Sequence, residues 1–221
     1  LGPLSGFAIP DDFPPGFEDY HNYAEMTANL QALAAAHPQL VRLITLGNSF
    51  EGRNIIGVRI SDDANDNLSE PGVFFVGQHH AREHMTVEVT LALAHHFVES
   101  SQVSVRWLAY SRQIYIFPSL NPDGSEYDIA TGNFQMWRKN RQPNTQAVGT
   151  DNNRNFSYRW GCCGGSSGNG GSETYRGTAP LSAPENMRMS DFMVAHPNVM
   201  TGISYHTYGN LILYPYGYTY D

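Results

Sequence analysis

Val73-Phe-Phe-Val76 is a continuous apolar run, closed by Gly77 and followed without a spacer by Gln-His-His80-Ala-Arg82-Glu83-His84. A run this short, without alternation, suits a strand buried on both faces in a parallel sheet. The period then changes. Val87, Leu91, Ala94 and Val98 recur as one face of a helix. Polar residues packed between a buried strand and a helix mark the carboxyl end of that strand, where open α/β sheets bind ligands.

The rest of the chain extends the same alternation. Tyr23, Met26, Leu30, Leu33 and His37 predict a first helix stopped by Pro38. Strands are expected over Leu40–Leu46, at Ile56, Val58 and Ile60, and over Gln113–Phe117, with a short helix over Val103–Tyr110. Asn121-Pro-Asp-Gly124 reads as a turn and opens a long aperiodic stretch, residues 121–182. Loops that long inside compact domains are usually functional or disordered. A helix over Pro184–Ala195 and strands over Val199–Tyr205 and Leu211–Tyr216 complete the pattern. The expected fold is a doubly wound α/β domain with a mixed, mainly parallel central sheet and helices on both faces. Residues 1–16, rich in proline and glycine, are expected to be an extended lead-in, a tag or pro-segment remnant without the features of a signal peptide.

Charge narrows the function classes. The 221 residues carry 13 basic and 21 acidic side chains, a net −8. An acidic chain without a basic run argues against nucleic acid or an anionic membrane as main partner. No apolar run approaches the ~20 residues that span a bilayer. Cys162 and Cys163 are adjacent and fit no cysteine metal site. They are expected as two thiols or two half-cystines with partners elsewhere, a bond between neighbours being the rarer arrangement.

The residues after Val76 allow three readings. His80 and Glu83 can be two metal ligands awaiting a distant third; His80 and His84 can bind zinc at i,i+4 with Glu83 as base; or the segment is simply a polar helix start. His206, at the end of the strand predicted over Val199–Tyr205, is a well-placed third ligand. Two histidines and a glutamate that leave one position open are a catalytic zinc set. His84 is then expected to point elsewhere. Arginine grips a carboxylate with two parallel bonds, and Arg82, Arg138 and Arg154 lie in segments able to converge on that site. Zinc with a carboxylate clamp is equipment for removing the last residue of a peptide. The loop carrying Asp62, Asp63, Asp66 and Glu70 reads as a solvated face or a calcium site, with Glu18 and Glu25 a weaker second possibility.

Taken together, Tyr20–Tyr23, His79–His84, Asn121–Gly124, Trp137–Pro143, Asp151–Asn155, Trp160–Ser167, Ser172–Gly177, Ser182–Glu185 and Leu213–Thr219 resemble, in order, the zinc carboxypeptidases of the carboxypeptidase A type. The chain looks closest to the bacterial branch represented by carboxypeptidase T. The resemblance implies a secreted enzyme acting on peptide or protein C-termini. It assigns Zn2+ to His80, Glu83 and His206, the developing oxyanion to Arg138, and the substrate carboxylate to Asn153 and Arg154. Arg82 and Tyr208 would line outer subsites, and a cis peptide would join Thr207 to Tyr208. In such enzymes the catalytic domain runs on past the position matching Asp221, and that part carries the general-base glutamate. Residues 17–221 are therefore expected to be the N-terminal two-thirds of a catalytic domain. The missing part would be a continuation or a second chain. None of Glu88, Glu126, Glu173 and Glu185 lies in a motif that makes it a substitute base. The alternative is a catalytically inactive, zinc-retaining module that binds peptide C-termini.

Overall fold

The computed structural model describes residues 13–63 and 68–218. Most of the expected lead-in, Asp66, Thr219 and Asp221 lie outside them. The strands are β1 (Val41–Asn48), β2 (Asn54–Ile60), β3 (Gly72–Val76), β4 (Gln113–Phe117) and β5 (Val199–Ser204). The helices are α1 (Tyr23–Ala36), α2 (Met85–Glu99), α3 (Val103–Ala109), α4 (Pro122–Ile129) and α5 (Pro184–Ala195), with a 3-10 turn at Asn152–Arg154.

The sheet order is β1-β2-β4-β3-β5. Strand β2 runs antiparallel to both β1 and β4, whereas β3 runs parallel to β4 and β5. Four strands thus share one direction and β2 alone opposes them: a mixed, mainly parallel sheet. Every residue of the central β4 is buried. Helices α1 and α2 bring Met26, Leu30, Leu33, Val87 and Leu91 onto the face of Val58, Ile60, Ile114 and Ile116. Helix α5 covers the other face, where Met189 and Phe192 meet Phe74, Tyr115 and Phe117. Burying these side chains on both faces contributes roughly 1.5–3 kcal/mol each.

Three expectations need correction. Asn121-Pro-Asp-Gly124 does not form an isolated turn but opens α4. Asn121 Oδ1 accepts from Gly124 N, and Pro122 occupies the first helical position, where its missing N–H costs nothing. Nor do residues 211–216 form a strand. Strand β5 is the edge of the sheet, and no described strand lies beyond it to pair with this segment. Met200, Ile203 and Leu211–Tyr214 stand exposed there. Cys162 and Cys163 are joined by a disulfide, also against expectation. Gly161, Cys163 and Gly164 all have left-handed backbone, which tightens the loop around the pair.

Gly77 sets the junction between β3 and the segment that follows. A Cβ there would lie 2.5 Å from Pro118 O and 2.9 Å from Thr86 O, both backbone atoms that cannot step aside. Gly77→Ala is expected to cost about 1–3 kcal/mol through overpacking. An unchanged melting temperature would contradict that close approach.

Candidate metal centre

The parallel pairing of β3 and β5 opposes Val76 to Ser204, so the chain leaves both strands at the same end of the sheet. Tyr205 N donates to Val76 O and continues the ladder one step further. The segment after β3 is fixed against a third stretch, since Ala81 N and Arg82 N donate to Arg138 O and Trp137 O. Three parts of the chain distant in sequence therefore meet here.

His80, Glu83 and His206 converge so that one ligand atom from each lies within 4.8 Å of the others. His80 Nδ1 is 2.7 Å from Glu83 Oε1, and His206 Nδ1 is 2.9 Å from Glu83 Oε2. The two Nδ1 atoms face each other at 3.3 Å. A tetrahedral ion with bonds of about 2.0–2.1 Å sets its ligand atoms roughly 3.3 Å apart. The nitrogen pair already has that spacing, and the carboxylate contacts, at 2.7 and 2.9 Å, need to open by about half an ångström. Two imidazoles and a carboxylate fit zinc in chemistry as well as spacing. His80 and Glu83 are buried, and His206 is the exposed member.

Ionisation follows from these contacts. Burial raises the Glu83 carboxyl, but hydrogen bonds from His206 and His80 outweigh it and bring the group down to about 2. Burial lowers His80, while Asp151 and Glu83 more than reverse that and raise it. His79 is driven to about 3 by burial and then by His206 and His80, so it is neutral.

Asp151, absent from the expected site, is the hub of the arrangement. Its side chain is fully buried; Oδ1 lies 3.2 Å from His80 Nε2, and Oδ2 accepts from Arg138 Nε and Nη2 at 3.2 and 2.9 Å. Oδ1 also takes the Asn153 N–H at 2.9 Å. A carboxylate behind a ligating imidazole fixes its tautomer and orientation. One side chain thus links His80, Arg138 and the Asn153–Arg154 turn. Burial raises the Asp151 carboxyl, but His80 and Arg138 hold it below its usual range. A depressed carboxyl stabilises the fold above its unfolded pKa of about 3.9, and that stability is lost as pH falls through the folded value. In metal-free protein Asp151→Asn is expected to cost about 3–5 kcal/mol at pH 7, because Arg138 and His80 lose a buried partner. It should also flatten the acid limb of the stability profile. Urea unfolding that shows a loss below about 1 kcal/mol at pH 7 would contradict the hub.

The other expected residues divide. Arg154 is half-buried, its Nε donating to Gly165 O and Nη1 to Asn153 O. Asn153 and Arg154 border a cleft of about 360 Å³ whose walls include Phe156, Tyr158, Trp160 and Leu213. Arg82 turns to Met136 O and, at 3.5 Å, to Glu173. Tyr208 is fully exposed, and the peptide joining it to Thr207 is cis, as the resemblance implies. His84 is buried away from the cluster, with Nε2 2.9 Å from Asp128 Oδ2 and its ring edge-on to Phe13. Phe13 is itself buried, so the end of the lead-in is packed against the domain. Among the glutamates weighed as a base, Glu88 holds His21, Glu126 holds Tyr23 N, and Glu185 holds Asn140 and Phe50 N. Asp62, Asp63 and Glu70 do come together, half exposed, with Glu70 accepting from Gln113 Nε2.

The zinc carboxypeptidase family model matches residues 26–221. A zinc carboxypeptidase of Saccharothrix mutabilis subsp. capreolus is 46% identical over 216 residues, covering 95% of this chain and 50% of the relative. Zinc carboxypeptidase A 1 of Drosophila melanogaster is 33% identical, covering 91% of this chain and 47% of its own length. Among solved structures, carboxypeptidase A from Helicoverpa armigera superposes with a TM-score of 0.82 at 34% identity, over 91% of this chain and 49% of that one. The chain spans about half the length of these relatives. With a match running from α1 to the last residue, the chain belongs to the zinc carboxypeptidase family.

Proposed function

We propose that this chain supplies the metal-binding and carboxylate-binding part of a zinc-dependent exopeptidase that removes the C-terminal residue of peptides and proteins. The observation that carries the reading is the convergence of His80, Glu83 and His206 at one end of the sheet. Zinc held there supplies a Lewis acid and a bound water whose pKa falls toward ~7. Arg138, its guanidinium plane fixed by two bonds to Asp151, takes the carbonyl oxygen that gains negative charge. Asn153 and Arg154 take the terminal carboxylate, and the cleft beside them receives the last side chain. Arg82 and Tyr208 serve residues further along the substrate.

Of the glutamates weighed, none sits against the three ligands, and Asp151 is committed to Arg138 and His80. In this reading the general base is none of these described side chains and belongs to a further part of the protein, residues 17–221 forming one portion of a larger catalytic domain. The exposed apolar side chains of β5 and residues 211–214 are surface for that remainder to cover, as continuous chain or as a second chain. A secreted location is part of the proposal, supported by the Cys162–Cys163 disulfide, which suits an oxidising compartment. Among the described residues no helix is long and apolar enough to cross a membrane. Calcium gains no support, since a half-exposed acidic cluster is commonly just solvated.

The test pairs stoichiometry with recognition. The chain is expected to take up one equivalent of zinc, and the loaded protein to bind peptides with a free C-terminal carboxylate over their amides. Arg154→Ala should abolish that preference. Equal binding of acid and amide would contradict the proposal. Preference for the acid with no turnover in the complete protein would instead favour the inactive binding module.

A further inference from the structure

Ser204 Oγ lies 3.1 Å from His206 Nε2 and 3.1 Å from His79 Nδ1, so one hydroxyl joins two imidazoles. With a metal ion on His206 Nδ1, the order of the protons along this chain follows. His206 turns Nδ1 toward His80 and Glu83. A nitrogen that offers its lone pair to a cation leaves the ring proton on the other nitrogen. His206 Nε2–H then donates to Ser204 Oγ. The hydroxyl has a single proton, and its remaining neighbour, His79 Nδ1, accepts it.

We propose that His79, acting through Ser204, is a positioning residue that holds His206 in the tautomer and orientation in which Nδ1 faces His80 and Glu83. The inference rests on reading these three residues as a metal centre. Within it, the two imidazoles are held by different means. His80 is buried and backed by the carboxylate of Asp151. His206 is exposed, follows the edge strand, and is backed by a neutral hydroxyl whose own direction is set by His79. His79 is only 2% exposed and stands on the segment after β3, so the relay ties the edge strand's ligand to the buried interior. Outer partners of this kind typically govern metal affinity by 10–100-fold. A space-filling role for His79 is the competing explanation, since its ring centre lies 6.0 Å from that of Phe156.

The test compares Ser204→Ala, His79→Leu and His79→Asn in the 221-residue chain. Zinc dissociation constants come from competition with a chelator, and metal-free stability from urea unfolding. An asparagine amide oxygen can accept near the position of Nδ1, whereas leucine only fills space. Ser204→Ala and His79→Leu are expected to weaken zinc binding by about 10–100-fold, and His79→Asn to recover most of that loss. Unchanged affinity in Ser204→Ala or His79→Leu would overturn the relay. So would equal loss in both His79 variants in step with metal-free stability. A wild-type chain that takes up no zinc would overturn the metal-centre reading and the relay with it. A zinc-binding wild type beside an unaffected His79→Leu removes the relay alone.

Discussion

Loaded with zinc, the 221-residue chain is expected to release C-terminal residues about 10²–10⁴-fold more slowly than a longer chain carrying the proposed general base, the contribution of one positioned proton-transfer group. Substrate capture and hydrolysis should separate in this chain. His80, Glu83 and His206 lie together, and Arg138, Asn153 and Arg154 are linked to them through Asp151. In the proposed roles these residues hold metal and terminal carboxylate, while the group that takes a proton from the attacking water and returns it to the leaving amine lies elsewhere. The KM of the residual reaction should change less than kcat. Exposed Met200, Ile203 and Leu211–Tyr214 should also make the isolated chain prone to aggregate, so the comparison is made at low protein concentration. Full turnover by a verified 221-residue chain would require a base among its own residues and would contradict the proposal.

What the sequence disclosed and what it hid have physical reasons. Val73–Val76 and Ile114–Phe117 are short apolar runs, and both lie in inner strands of the sheet, because burial on both faces leaves no polar position within them to blur the pattern. Pro184 began a helix because its fixed backbone angle suits the first turn. The same signal stood at Pro122, where Asn121-Pro-Asp-Gly is equally good turn chemistry. Only packing of Asp123, Ser125 and Ile129 into the interior decided for helix. Leu211–Tyr216 carries a strand-like composition, yet a strand exists only where a neighbour offers hydrogen bonds. The convergence of His80 and His206 was legible because each stands a few residues after a strand that ends on the same side of the sheet. Asp151 was not. Its role depends on the loop of residues 137–155 folding back across the strand ends, a contact between distant segments that local pattern does not encode. The Asp that accepts from the Asn153 N–H was the one local sign of it.

His206→Ala is expected to weaken zinc binding by more than the ~10–100-fold typical of an outer-shell partner, because it removes one of the three proposed protein ligands. His84→Ala should leave zinc affinity essentially unchanged. His84 contacts Asp128, Gln78, Phe13 and Phe134 rather than the cluster, so its loss falls on the fold. Leaving Asp128 without its buried partner should lower stability by about 1–3 kcal/mol. The pair of variants therefore separates two effects, metal affinity in one and stability in the other. The opposite ranking would favour zinc binding by His80 and His84, four residues apart on one segment, with Glu83 as base.

The most direct measurement is the zinc K-edge absorption spectrum of the chain carrying one equivalent of metal. Nitrogen and oxygen ligands are expected at about 2.0–2.1 Å, with outer-shell scattering from two imidazoles and none from sulfur. The imidazole count should fall to one in His206→Ala and stay at two in His84→Ala. A third imidazole, a sulfur ligand, or two imidazoles persisting in His206→Ala would contradict a centre built from His80, Glu83 and His206.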